Sequence, residues 1–167
     1  SISFAQVETD TIHKSEAEMK SASMLMNFRE NPNTQNYDIT YHKLEFTVNP
    51  AVASIAGKVT TTYTALANMS TITFDKANAL VVSAVKKGGV NLSFTQPTTD
   101  ELVITLPAIQ PIGTSATIEV TYSGNPSSTG FGSFITETHN NVPVLYTLSE
   151  PFGARDWWPC KQDLNDK

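Results

Sequence analysis

Apolar and polar residues alternate along most of this chain, and that period of two constrains the fold more than any other feature. Tyr37, Ile39 and Tyr41 alternate with polar residues, and the alternation resumes in the opposite phase from Leu44 to Val48. Successive side chains of a β-strand point to opposite faces of a sheet, so such alternation predicts strands with one buried face. A bulge near His42 and Lys43 would reconcile the two phases.

Further β-rich runs follow at short and regular intervals. They cover residues 59–66, 71–74, 80–85, 90–94, 102–106, 116–122, 132–136 and 144–148. Gly88-Gly89 and Asn140-Asn141 lie between such runs, and these residue types adopt the positive φ angles of tight hairpin turns. The pattern predicts an all-β fold of antiparallel sheets, arranged as a sandwich or as open sheets.

The first 36 residues differ from the rest and are expected to form a leader. Residues 11–30 predict one short helix, because Ser15 and Glu18 have the spacing of a capping box before an apolar face. Ser3 and Ala5 resemble a signal-peptide cleavage site, which favours a secreted or periplasmic protein over an ordinary disordered leader.

Charge and composition exclude several classes of function. The 167 residues carry a formal net charge of −5 and no basic cluster interleaved with aromatics, so we expect no nucleic-acid partner. No apolar run is long enough to predict a membrane span. A single cysteine, Cys160, excludes an internal disulfide framework.

No catalytic or metal-binding set can be assigned within the chain. The three histidines are far apart in sequence, and neither H-E-x-x-H nor Cys-x-x-Cys is present. His42 and Glu45 form an H-x-x-E pair, but residues three apart on a strand face opposite sides of the sheet. We therefore predict no catalytic residue, no metal site and no cofactor in this chain.

The last twenty residues concentrate residue types that are costly in a solvated linker. Trp157 and Trp158 are adjacent, and each indole needs both burial and a hydrogen-bond partner. Pro159 and Cys160 follow directly. This segment is therefore expected to pack against the domain.

The same segment carries a family resemblance. Its motif is Ser149-Glu150, Ala154-Arg155, Trp158-Pro159-Cys160 and Lys167. Upstream, five strand fragments follow one another in the order Tyr37-Asp38-Ile39, Gly57-Lys58-Val59-Thr60, Ile72-x-Phe74-Asp75, Leu102-x-Ile104-x-Leu106-Pro107 and Val120-x-Tyr122-Ser123-Gly124. In this order the motifs resemble the first domain of zinc aminopeptidases of the aminopeptidase N type. The likeness covers residues 37–167, which we expect to be an N-terminal β domain truncated at its C-terminal end.

The resemblance implies a saddle-like sandwich that packs on a downstream catalytic domain, which would hold zinc and cleave N-terminal residues from peptide substrates. It implies that Glu150 binds the α-amino group of the peptide. Arg155 is expected to hold the loop through a buried ion pair, and Trp157, Trp158, Pro159 and Cys160 to be structural. The chain departs from the family at Gln162, where an aspartate is usual.

A second hypothesis stays open beside this one. The same scaffold could serve as a secreted β-sandwich for binding or assembly, without any catalytic partner, because a fold does not determine a function. A zinc-binding H-E-x-x-H motif later in the gene would separate the two hypotheses.

Overall fold

The computed structural model describes residues 30–126, 132–149, 152–163 and 166, and the predicted helix over residues 11–30 lies outside these ranges except for Glu30. In the described part the chain forms ten strands and two short 3-10 helices. The strands are β1 (Tyr37–Asn49), β2 (Val52–Ala65), β3 (Met69–Asp75), β4 (Leu80–Lys87), β5 (Val90–Asn91), β6 (Phe94–Thr95), β7 (Glu101–Gln110), β8 (Ser115–Gly124), β9 (Phe134–His139) and β10 (Val142–Thr147). The 3-10 helices are Pro32–Thr34 and Ala154–Asp156.

The strands form three sheets, and every pairing between them is antiparallel. One sheet has the order β1-β2-β8-β4-β5, a second has the order β3-β7-β6, and β9 pairs with β10 in a two-stranded ribbon. The prediction of an all-β fold with antiparallel sheets is confirmed. The run predicted over residues 90–94 is instead two separate strands, β5 and β6, which belong to different sheets.

The change of phase along β1 occurs earlier than predicted. The register between β1 and β2 shifts between Ile39 and Tyr41, not at His42 and Lys43. Ile39 is therefore buried, whereas Tyr41 is 55% exposed although the alternation placed both on one face. An extra residue at Thr40 reverses the direction of the side chains that follow, up to the second register shift between Val48 and Asn49.

Both predicted hairpin turns are confirmed. Lys87 pairs with Val90 across Gly88 and Gly89, whose φ angles are 57° and 80°. The β9–β10 turn has Asn140 and Asn141 at φ angles of 50° and 62°. Two successive positive φ angles match the right-handed twist of the strands that the turn connects.

The core lies between the five-stranded and the three-stranded sheet. It is one cluster of buried side chains, to which β1, β2, β4 and β8 contribute from one sheet and β3 and β7 from the other. Tyr37 is fully buried on β1, and its hydroxyl donates to the carbonyl of Thr73 on β3 at 2.6 Å. Tyr63 on β2 donates in the same way to the side chain of Gln110 on β7 at 2.8 Å. Such bonds fix the two layers relative to each other, because a buried hydroxyl needs a partner.

In the described part of the chain we find no helix that is both long and apolar enough to cross a membrane.

Candidate functional site

The segment that follows β10 packs across one end of the sandwich. The amide of Leu148 donates to the carbonyl of Ser133 at 3.1 Å, and further along Asp75 and Cys160 exchange two backbone hydrogen bonds of 2.8 and 3.0 Å. The hydroxyl of Tyr122 donates to the carbonyl of Trp157 at 2.7 Å. The expected packing of this segment on the domain is therefore observed for its described residues.

Glu150 lies outside the described residues, as does Pro151. The residues on both sides of them are described. The amide of Gly153 donates to the carbonyl of Ser149 at 2.8 Å, so the described residues on the two sides are bonded to each other. We call residues 149–153 the Glu150 loop.

Two further contacts hold the described ends of the Glu150 loop. The indole nitrogen of Trp157 donates to Oγ of Ser149 at 3.3 Å. The side-chain amide of Gln162 donates to the carbonyl of Phe152. Phe152 is 9% exposed, so this end of the loop is part of the packed interior.

Gly153 is required by close packing and not by an unusual backbone angle. Its φ is −84°, which any residue adopts. A Cβ added there would lie 2.6 Å from the carbonyl oxygen of Leu148 and 2.6 Å from Oγ of Ser133. Only glycine lets the loop come this close to the end of β10 and to the residue before β9.

Beside Gly153 lies a buried polar pair that the sequence did not indicate. Oγ of Ser133 donates to Oδ2 of Asp156 at 2.6 Å, and the two residues are 0% and 1% exposed. A buried carboxylate needs such donors, because removing it from water is costly. Nothing in the spacing of Ser133 and Asp156 signals the contact, since they are 23 residues apart.

The two tryptophans pack against aromatic side chains of β1. The ring of Trp157 lies 5.2 Å from that of Phe46, and the ring of Trp158 lies 5.0 Å from that of His42 at nearly a right angle. His42 also contacts Oγ1 of Thr61 through Nδ1 at 3.0 Å. These are packing contacts of the kind expected for Trp157 and Trp158, and His42 belongs to the same cluster.

Cys160 is buried at the centre of the segment. It is 2% exposed, and burial raises the pKa of its thiol well above the usual value, with a further contribution from the Asp75 carboxylate. A thiol held in its neutral form is a poor nucleophile. The preceding Pro159 is also buried. Both positions suit packing residues, and their role as a structural signature stays a prediction.

Arg155 does not make its expected ion pair with any residue in the described part of the chain. The ion pairs found there join Lys43 and Lys58 to Glu45, and Lys161 to Asp163 and Asp166. The backbone carbonyl of Arg155 accepts from the amide of Ala77 at 3.0 Å, so its main chain is held to the turn after β3.

A cavity of about 300 Å³ lies beside Arg155, with Asp75, Glu101 and Gln162 also on its wall. Its acidic groups are occupied by hydrogen bonds. The side-chain amide of Asn31 donates to Asp75 Oδ1 at 3.0 Å and to Glu101 Oε1 at 2.8 Å. The hydrogen bonds lower the pKa of Glu101, that from Asn33 having the largest effect. These hydrogen bonds connect the segment before β1 to the end of β3 and to the start of β7.

Among the described residues, no group of three or more His, Cys, Asp or Glu side chains could hold a metal ion.

Comparisons with known proteins agree with this picture. The family model for the Peptidase M1 N-terminal domain matches residues 33–163. An M1 zinc metallopeptidase from Deinococcus radiodurans is 29% identical with a TM-score of 0.67, and the match covers 78% of this chain and 30% of that one. A mutant of an enzyme of this kind from the same organism, bound to a Tyr-Ser-Ala substrate, is 28% identical with a TM-score of 0.67, covering 79% of this chain and 31% of that one.

Leukotriene A4 hydrolase from Saccharomyces cerevisiae is 17% identical with a TM-score of 0.65, covering 87% of this chain and 26% of that one, and this likeness supports the fold alone. No curated protein sequence matches at a significant level. The chain spans about 30% of the length of the bacterial metallopeptidase. Since the family model matches residues 33–163 of 167, the chain belongs to the Peptidase M1 N-terminal domain family.

Proposed function

We propose that this domain serves a zinc aminopeptidase, in which Glu150 binds the free α-amino group of a peptide substrate. Catalysis and zinc would belong to a separate catalytic domain of the same protein, and the family match together with the likeness to zinc metallopeptidases supports this. Zinc would supply an activated water for attack on the first peptide bond. The contribution of this chain is to bind and orient the amine end of the substrate.

The observation that carries the proposal is the anchoring of the chain on both sides of Glu150. Ser149 is held by the amide of Gly153 and by the indole of Trp157, and Phe152 is held by Gln162. A group that recognises an ammonium gains from a fixed position, because less conformational freedom is lost when substrate binds. Three separate contacts hold the described residues on the two sides of Glu150, and this supports the proposal.

The negative charge of Glu150 would attract the positively charged α-ammonium of the substrate. A carboxylate about 4 Å from an ammonium gains on the order of 4 kcal/mol at an effective dielectric constant near 20, before desolvation is counted. A peptide with a blocked amino terminus lacks this interaction. The carboxylate would thus select substrates with a free amino terminus.

The test is Glu150→Gln in the full-length protein. Side-chain volume hardly changes, so the fold is retained, while kcat/KM for an amino-acid anilide falls roughly ten- to a thousandfold, or about 1.4 to 4 kcal/mol. Glu119→Gln is the matched control, because Glu119 lies on β8, in the middle of the five-stranded sheet. It should leave kcat/KM within about twofold of wild type, inside the scatter usual for surface changes.

Equal kcat/KM for wild type and Glu150→Gln at matched folded fraction would remove the assigned role of Glu150. A full-length protein without zinc or peptidase activity would instead favour the binding or assembly module.

A further inference from the structure

One edge of β4 is covered by a strand only at its C-terminal end. β4 lies between β8 and β5 in the five-stranded sheet, and β5 has two residues that pair with Lys86 and Lys87. In the part of the chain that the structure describes, no strand pairs with this edge from Leu80 to Ala84. Backbone N–H and C=O groups at such an edge are a template for pairing with another chain.

Side chains occupy the edge of β4 where no strand does. Oε1 of Gln96, the residue after β6, accepts from the amide of Val82 at 2.9 Å, and Nε2 of Gln96 donates to the carbonyl of Val82 at 3.4 Å. These are the two bonds that a residue of a neighbouring antiparallel strand would exchange with Val82. At Leu80, the carbonyl accepts from Nζ of Lys76 at 2.6 Å, and the amide donates to the carbonyl of Ala77 at 3.0 Å.

The loop that carries Gln96 is fixed to the turn before β4. The side-chain amide of Asn78 donates to the carbonyl of Thr98 at 2.9 Å. The backbone amide of Asn78 donates to Oδ1 of Asp100, also at 2.9 Å. We call residues 96–100 the β4 strap. Its bonds hold the Gln96 side chain beside the edge of β4.

The segment under the β4 strap has the composition of a strand that pairs with its own copies. Residues 80–85 read Leu-Val-Val-Ser-Ala-Val, without charge, proline or glycine. Short segments of high β-propensity and low charge are those that assemble through their edges. If two copies pair antiparallel about Val82, residues 80–84 of each copy face each other and bring no like charges together. The partner that suits this edge is therefore a second copy of the chain.

We propose that the side-chain amide of Gln96 keeps β4 from pairing with a second copy of this chain, so that the β4 strap covers a surface for strand addition. The Gln96 side chain is exposed, so it occupies the edge and does not fill the core. Removing its amide leaves the N–H and C=O of Val82 open to another strand. This inference does not depend on the proposed function.

The experiment is sedimentation velocity of Gln96→Ala and wild type over a series of protein concentrations. The average mass of Gln96→Ala should rise above that of wild type, toward twice the mass of one chain, as the concentration is raised. Gln35→Ala is the matched control, because Gln35 is also exposed and lies at the end of the first 3-10 helix, outside the β4 strap. Its mass should follow that of wild type. Equal masses for Gln96→Ala and wild type at every concentration would overturn the proposal.

A second substitution locates the contact between the copies. Val81 is 59% exposed on β4, and a charged side chain on an edge strand opposes pairing. Val81→Lys in the Gln96→Ala background should therefore return the average mass to that of wild type. If the double variant associates as strongly as Gln96→Ala alone, the copies do not meet through β4 and the proposal fails.

Hydrogen exchange of the Val82 amide reads the edge directly, in dilute protein. The reference is the amide of Val59, which belongs to a residue buried in the core on β2, so that any general loss of stability cancels in the ratio of the two rates. In Gln96→Ala, Val82 should exchange at least about tenfold faster relative to Val59 than in wild type, because its acceptor is gone. An unchanged ratio would show that Gln96 does not protect this edge.

Discussion

Replacing Gly153 by alanine tests the packing of the Glu150 loop. The added Cβ would lie 2.6 Å from the carbonyl oxygen of Leu148 and 2.6 Å from Oγ of Ser133, and real Cβ atoms essentially never approach other heavy atoms closer than 3.0 Å. The backbone of Leu148 is held by its bond to Ser133, and Oγ of Ser133 is held by Asp156. Neither neighbour can move away without breaking a contact.

The expected cost of Gly153→Ala is that of overpacking, about 1–3 kcal/mol. For a domain of this size that corresponds to a fall in Tm of about 2–12 °C. The sign of the effect is informative. Gly153 has a φ of −84°, so with free space around it alanine would stabilise the fold by about 0.4–1 kcal/mol through the unfolded state.

The measurement is urea unfolding of the chain followed by the fluorescence of Trp157 and Trp158, its two tryptophans. Gly88→Ala is the control for backbone conformation, because its φ is +57° and no atom lies within 4 Å of the added Cβ. Its cost should be about 1–2 kcal/mol from the left-handed conformation alone. An unchanged or higher urea midpoint for Gly153→Ala would refute the close approach on which the loop's position depends.

Two further predictions concern the buried groups of the same segment. Ser133→Ala removes the hydroxyl that donates to the Asp156 carboxylate at 2.6 Å. It should lower the free energy of unfolding by about 1–3 kcal/mol with an unchanged m value. A urea midpoint equal to that of wild type would contradict this prediction. Burial raises the pKa of the Cys160 thiol in the folded state. The contribution of the neutral thiol to stability is therefore complete below the pKa of the unfolded state, about 8.5, and is lost as pH rises toward the folded pKa. Relative to Cys160→Ala, wild type should lose about 1.4 kcal/mol per pH unit above that value in urea titrations, and parallel pH profiles of the two proteins would contradict the prediction.

The sequence predicted the sheets well because strand periodicity and turn chemistry are local signals. Gly88-Gly89 and Asn140-Asn141 mark their hairpins through the residue types that positive φ angles require. The bulge was placed too late, since Tyr41 is apolar enough to continue the phase of Ile39 although the register had already shifted. Which of two apolar residues is exposed depends on the neighbouring strand, and alternation alone does not contain that information.

The site was predicted only in part, because its contacts join residues far apart in the chain. The adjacent Trp157 and Trp158 predicted that this segment packs against the domain. Their partners on β1 are set by tertiary packing, which the local sequence does not show. The bond between Ser133 and Asp156 has no sequence signal. Gln162 did have a sequence signal, because it differs from the aspartate that the resemblance implied. The residue at this departure from the family donates to the carbonyl of Phe152.

The most direct test of the central claim is a crystal structure of the full-length protein with a free amino acid bound in the active site. The quantity to measure is the distance between the Glu150 carboxylate and the α-ammonium of the ligand. Our account predicts a charge-assisted hydrogen bond of about 2.7–2.9 Å. A separation beyond about 6 Å, with other residues binding the ammonium, would contradict it.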